Sequence, residues 1–193
     1  MVTVSITIML SKRDALLDII FAEPKRWHFE ELRRRVPLGK PQLARWLRQF
    51  CREGILRRVK PEGKMPYYVQ NADDARFRNR KRLFGLAKLL QSGLLDHLAS
   101  LRGAAVVVVF GSFSRWDWYG DSDIDVFVYG DSAEVETSAY GRKLRHDIEI
   151  HAAKDAQGLK RLEQLLPSVL CGYFVKGAAS DLGVDIRAAG EDA

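Results

Sequence analysis

Asp123 and Asp125 stand two residues apart at the head of an apolar run, Ile124-Asp125-Val126-Phe127-Val128-Tyr129. A β-branched run of this kind reads as a strand. The strand period of two then puts both carboxylates on one face and Ile124, Val126 and Val128 on the other. Burying two anions together is costly unless a cation compensates them, so the pair suits a divalent metal. Upstream, a second apolar run from Ala104 to Phe110 ends in Gly111-Ser112. A glycine lets the backbone approach a ligand closely, and a serine offers an N–H and a hydroxyl, so this strand end suits a phosphate chain.

Taken together, GSFSRWDWYGDSDID resembles the signature of the DNA polymerase beta-like nucleotidyltransferase superfamily, written roughly as GSxAxG, a spacer, then SDID. It is most similar to the minimal nucleotidyltransferases of prokaryotes. Gly111, Ser112, Arg115, Ser122, Asp123 and Asp125 fall at the family's spacing. Ser114 for the usual Ala is a mild change. Trp116 is a larger departure, because it occupies a position where the family usually has Gly and where a bulky residue cannot cheaply adopt positive φ.

The resemblance implies a nucleotide site at Gly111, Ser112, Arg115 and Ser122, with Asp123 and Asp125 holding Mg²⁺ against the phosphates of ATP or another NTP. For Arg115, an ion pair with Asp117 or Asp121 is an equal alternative. Family sheets also carry a third carboxylate on the neighbouring strand. A turn at 130–132 and a helix over about 133–143 lead here to a strand over about 145–153. Its alternation sets Ile148 and Ile150 on one face and Asp147, Glu149 and His151 on the other. Glu149 matches the family pattern better than Asp147, which lies nearer the strand start; a solvated charge is the plain alternative. His146 and His151 flank Glu149 and receive no role. The catalytic and metal set implied is thus Asp123, Asp125 and Glu149, with two Mg²⁺ ions. One orients the triphosphate, and the other lowers the pKa of an acceptor hydroxyl. The reaction implied is transfer of AMP from ATP to a protein or small-molecule hydroxyl, with release of pyrophosphate. Trp116, Trp118 and Tyr119 either stack a base, cover the cleft or pack locally.

The chain of 193 residues has 47% hydrophobic and 29% charged residues, the balance of a globular protein. Its net charge of +6 hides an asymmetry: residues 1–102 carry 22 Lys and Arg against 10 Asp and Glu, and residues 103–193 carry 9 against 15. A basic half joined to an acidic half suggests two domains with different partners. Cys51 and Cys171 lack ligand spacing and read as lone thiols. Met1 to Leu10 is too short for a membrane span and lacks the basic start of a signal peptide, so it reads as an extra strand, the alternative being that translation begins at Met9. A cytoplasmic location with no membrane partner follows as an expectation.

In the basic half, Ser11 with Asp14 marks a helix start, and a stripe of Ala15, Leu16, Ile19 and Ile20 runs to about Ala22 before Pro24. A second helix spans about His28 to Arg35. A third begins near Pro41, buries Leu43, Leu47 and Phe50, and ends at Gly54. Residues 55–59 and 67–69 then form a hairpin. Three helices and a hairpin resemble a winged helix-turn-helix over 10–70. Gln42, Arg45, Gln49 and Arg52 share the exposed face of the third helix, and Arg57 and Arg58 lie on the wing, where they would meet DNA. A protein-docking module is the alternative.

Leu83, Leu86, Leu90, Leu94, Leu98 and Leu101 repeat at helical spacing and predict one linking helix over 71–102. Packing against the catalytic sheet or a homodimer surface would bury that stripe. A helix from 155 to 166, Pro167, an apolar segment over 169–175 and a terminal strand over 183–187 complete the chain. The expected architecture is α/β (α+β): a winged helix domain, a linking helix, and a small nucleotidyltransferase domain over 103–193 with a mixed sheet flanked by helices. Two functions fit it. One is the enzyme described above; the other is a DNA-binding regulator whose transferase-like domain binds nucleotide or a partner protein. An antitoxin beside its toxin is a variant of either, by family analogy.

Overall fold

A computed structural model of the chain describes residues 11–183. The expected N-terminal strand and the strand over 183–187 lie outside the described residues. Two compact units emerge: one runs to Gln91 and includes Arg115–Ser122, and the other holds Ser92–Ser114 and the chain from Asp123 on. The mixed α/β class matches expectation. Among the described residues no helix is long and apolar enough to cross a membrane.

In the first unit, α1 (Lys12–Ala22) starts at Ser11, whose hydroxyl accepts the Asp14 N–H at 3.1 Å. It is followed by β1 (Trp27–His28), α2 (Phe29–Arg35), α3 (Lys40–Arg52), β2 (Leu56–Val59), β3 (Tyr67–Gln70) and α4 (Ala75–Ser92). Leu43, Leu47 and Phe50 of α3 are buried, as their spacing predicts. The hairpin is there, with Leu56 opposite Gln70 and Val59 opposite Tyr67. It gains a strand that two residues alone do not announce: β1 pairs with β3, giving the order β1-β3-β2.

The single linking helix does not form. Gly93 adopts a left-handed conformation (φ 84°), which ends α4, and α5 (Leu94–Ser100) starts afresh with its first N–H bonded to the Ser92 hydroxyl. Nor does the leucine stripe set the buried face of α4. Leu83 and Leu90 are exposed, whereas Phe77, Lys81, Phe84 and Leu89 are buried. The aromatic residues win because they meet Phe21 of α1, with ring centroids 5.6 Å from Phe77 and 5.4 Å from Phe84.

Into this cluster the Arg115–Ser122 segment inserts Trp118. Its indole stacks on Phe84 at 6.4 Å and donates to the Lys81 carbonyl at 3.3 Å. Gly85 makes room for it, since a Cβ there would lie 2.8 Å from the indole nitrogen. The Gly120 N–H donates to the Ala22 carbonyl at 3.0 Å, and Arg82 Nε donates to the Arg115 carbonyl at 2.6 Å. Trp116 packs against Phe77, with the Arg78 guanidinium 5.7 Å from its ring centre. Of the three roles weighed for this aromatic loop, local packing is what these contacts show for Trp116 and Trp118.

The second unit comprises α5, β4 (Ala104–Phe110), α6 (Gly111–Arg115), β5 (Ile124–Gly130), α7 (Thr137–Leu144), β6 (Ile148–Ala153), α8 (Ala156–Arg161), α9 (Leu166–Leu170) and β7 (Tyr173–Lys176). Its sheet has the order β6-β5-β4-β7, with β5 and β6 parallel and the other pairs antiparallel. The expected helix over 155–166 is shorter and passes into a 3-10 turn at Glu163–Leu165. Pro167 starts α9 rather than stopping a helix, which its missing N–H permits in a first turn. Val106, Val108, Phe110, Phe127 and Ala153 of the sheet pack with Leu159, Leu166, Val169 and Leu182 in one core.

Lys81 sits inside the first unit's aromatic cluster, 1% exposed, with its ammonium 4.4 Å from the Tyr119 ring centre and 5.0 Å from that of Trp118. Burial lowers its pKa from 10.5 to about 8, opposed by the nearby Asp117 charge. Above the lowered value the unfolded chain still binds a proton that the folded chain has released, so folding stability rises with pH from about 8 to 10.5. Urea unfolding of the wild type and Lys81→Met across that window should show the difference between them moving toward the wild type, by on the order of 2–3 kcal/mol. A difference independent of pH would show that Lys81 is not held in this way.

Candidate active site

Three strands of the second unit carry the site to one end of its sheet. Val107 and Val109 of β4 are buried on one face; Val106, Val108 and Phe110 alternate with them on the other. Register continues that second face across the sheet. Phe110 lies opposite Asp125, and Asp125 lies opposite Glu149. Phe127 and His151 form the next parallel pair. The face that is apolar core at Val106, Val108 and Phe127 therefore turns polar at Asp125, Glu149 and His151. On the opposite face Ile124 pairs with Ile148, and Val126 with Ile150.

Gly111 begins α6 immediately after β4. Its φ of 69° is left-handed, and a Cβ would overlap the Asp125 carboxylate, with Cγ at 3.0 Å. No other residue type combines that backbone with that approach. Ser112 follows, half-buried, and the Ser114 hydroxyl donates to the Gly111 carbonyl at 2.9 Å.

Asp125, Glu149 and His151 each bring one ligand atom into a group within 4.8 Å of one another. His151 Nε2 stands 3.7 Å from Asp125 Oδ1 and 3.7 Å from Glu149 Oε1. Burial raises the Asp125 pKa above its ordinary value; the Glu149 and Asp123 charges add to the rise, and His151 opposes it. Asp123 is exposed just before β5. It thus acts on Asp125 through its charge while standing outside the three-residue group. Asp147, the alternative third carboxylate, is elsewhere: it lines a cavity of about 400 Å³ with Thr137, Ser138, Gly141, Arg142 and Ile148.

Arg115 and Ser122 are held in the segment that packs with the first unit. Arg115 makes a two-pronged ion pair with Asp117 (3.2 and 3.1 Å), the alternative its sequence context offers. The Ser122 hydroxyl accepts the Tyr119 N–H at 2.8 Å. Trp116 needs no left-handed backbone, because Arg145 is the one described non-glycine residue with positive φ. The loop has a conformation that a bulky residue can adopt.

Of the residues expected to meet DNA, Arg45, Arg52, Arg57 and Arg58 are exposed on α3 and β2, and Gln42 is half-buried. Gln49 is engaged, donating to Glu53 at 2.6 Å, and Arg57 lies 3.9 Å from Asp73. Sequence reasoning passed over Arg48, which lines a cavity of about 330 Å³ with Cys51, Arg52, Arg58 and Tyr68. It also gave no role to His151, although strand alternation already placed that residue on the Glu149 face.

The comparisons with known proteins bear on the second unit. Residues 92–176 match the nucleotidyltransferase domain family model. Nucleotidyl transfer is therefore the general chemistry that this part of the chain supports. No curated protein and no solved structure matches the chain.

Gly111→Ala tests the tightest point of the site. Left-handed backbone and overlap with the Asp125 carboxylate should together lower unfolding free energy by about 2 kcal/mol or more, read from urea denaturation. A variant within about 0.5 kcal/mol of the wild type would mean that Gly111 does not pack against Asp125.

Proposed function

We propose that the chain is a metal-dependent nucleotidyltransferase that transfers AMP from ATP to a hydroxyl on a protein or small molecule. The observation that carries this reading is the direct pairing of Asp125 with Glu149 beside the left-handed Gly111, within the matched residues 92–176. The residues present fit a divalent cation. Hard oxygen donors converge, and the Asp125 pKa is raised by burial first, with the Glu149 and Asp123 charges adding to it.

Asp125 and Glu149 would hold Mg²⁺, with Asp123 as the further carboxylate facing the phosphates. When bound, Mg²⁺ would supply Lewis-acid polarisation of phosphate oxygens. Gly111 lets the chain turn tightly over Asp125, which leaves the Ser112 N–H and hydroxyl to meet a phosphate oxygen. In the transfer, the acceptor oxygen bonds to the α-phosphorus as the bond to the pyrophosphate oxygen breaks. The hydroxyl proton passes to solvent water, and pyrophosphate departs with the electron pair of the broken phosphorus–oxygen bond. For Arg115, a phosphate oxygen would compete with the Asp117 carboxylate.

The test incubates the chain with ATP labelled at the α-phosphate, Mg²⁺ and cell lysate. The expected result is metal-dependent label on an acceptor, reduced on the order of 10²-fold or more in Asp125→Ala. Absence of transfer with every nucleotide and divalent ion tried would overturn the reading.

A second reading concerns the first unit. We infer that its helices and three-stranded sheet form a winged helix that binds DNA through Gln42, Arg45, Gln49, Arg52, Arg57 and Arg58. The grouping of Arg52 and Arg58 with Arg48 around one cavity favours it, because such a cluster attracts phosphate. Duplex affinity, followed by fluorescence anisotropy, should fall steeply with added salt and weaken in Arg45→Ala. Salt-insensitive or absent binding would leave a protein-docking module.

A further inference from the structure

We propose that His151 is a nitrogen ligand of the metal site, and that it makes the site prefer a divalent transition ion such as Zn²⁺ or Mn²⁺ to Mg²⁺. The inference rests on the metal-dependent reading of this site and deepens it. Carboxylate oxygens suit Mg²⁺, whereas imidazole nitrogen suits transition ions and contributes little to Mg²⁺. A site of oxygens alone would have a smaller preference of this kind, and the imidazole enlarges it.

The geometry points to His151 as a ligand rather than as a hydrogen-bond partner. Its Nε2 is equidistant from the two carboxylates, 3.7 Å from Asp125 Oδ1 and 3.7 Å from Glu149 Oε1. That is longer than a hydrogen bond. Donors around an ion with bonds of about 2.1 Å stand about 3.0–3.4 Å apart, so small side-chain rotations close the group on an ion. The imidazole is also preorganised. Its side chain is 19% exposed, and its ring meets Phe110 edge-on at 5.3 Å. Strand alternation fixes its side of the sheet, because His151 and Glu149 are two residues apart on β6. Phe110, by contrast, leads directly into Gly111, so the same aromatic ring orients the imidazole and precedes the tight turn.

Calorimetric titration of the full chain with ZnCl₂, MnCl₂ or MgCl₂, without nucleotide, tests this directly. The wild type should bind Zn²⁺ and Mn²⁺ at least about tenfold more tightly than Mg²⁺. His151→Gln should lose about tenfold or more in Zn²⁺ and Mn²⁺ affinity with little change for Mg²⁺. His151→Asp, which restores an oxygen donor, should keep Mg²⁺ binding without restoring the full wild-type preference. Electron spin-echo spectra of the Mn²⁺-loaded wild type should show a coupled imidazole nitrogen, absent from His151→Gln. Thermal melts that match the wild type confirm that each variant folds. Unchanged ion preference in His151→Gln, or no nitrogen coupling in the wild type, overturns the inference. Nucleotidyl transfer with an unaltered preference would sink this inference alone; a histidine-dependent preference without transfer would sink the proposed function alone.

Discussion

The second unit depends on one juxtaposition: Asp125 and Glu149 side by side on parallel strands β5 and β6. Like charges in adjacent register repel, and partial burial increases the cost. The Asp125 pKa is raised, chiefly by burial and further by the Glu149 charge. A sheet optimised only for stability would place apolar residues there, as it does at the adjoining pair on the opposite face, where Val126 stands opposite Ile150. Much of the surrounding architecture can be understood as making that pair tolerable and accessible. The core of Val106, Val108, Phe110 and Phe127 anchors the strands below it. Gly111 turns the chain away at once, with its missing side chain leaving room for the Asp125 carboxylate.

The motif is interrupted in an informative way. Gly111 to Ser114 and the chain from Asp123 belong to the second unit, whereas Arg115–Ser122 between them packs with the first. Trp118 beside Gly85, the Gly120 bond to Ala22 and the Arg82 bond to the Arg115 carbonyl are the contacts that hold it there. The spacer that separates the two halves of the motif is thus a packed segment with its own partners. Trp116 belongs to that packing, which gives a physical reason for a bulky residue where the resemblance leads one to expect glycine.

How much of this was legible in the sequence varies with the range of the forces involved. Strands β4 and β5 were plain, because β-branched runs bounded by Gly-Ser and Gly-Asp leave little alternative. Buried α3 residues followed from their spacing. Glu149 was legible through alternation together with the resemblance, and Asp147 proved to line a separate cavity. What sequence missed was set by tertiary contact. The break at Gly93 required a left-handed backbone, which Gly85, earlier in the same leucine-rich stretch, does not adopt. The buried face of α4 was decided by Phe21 on another helix rather than by its own leucines. His151 stood on the right face but acquired its place only when β5 brought Asp125 alongside β6.

On the function proposed above, the Asp125–Glu149 end of this sheet holds a divalent ion for nucleotide chemistry. Crystals grown with Mn²⁺ and a non-hydrolysable ATP analogue, measured at the manganese absorption edge, test it most directly. The expected result is an anomalous peak within ligand distance of the Asp125 and Glu149 carboxylates, with the analogue's phosphates beside Gly111 and Ser112. An ordered analogue bound elsewhere, or no anomalous peak at these carboxylates, would contradict it.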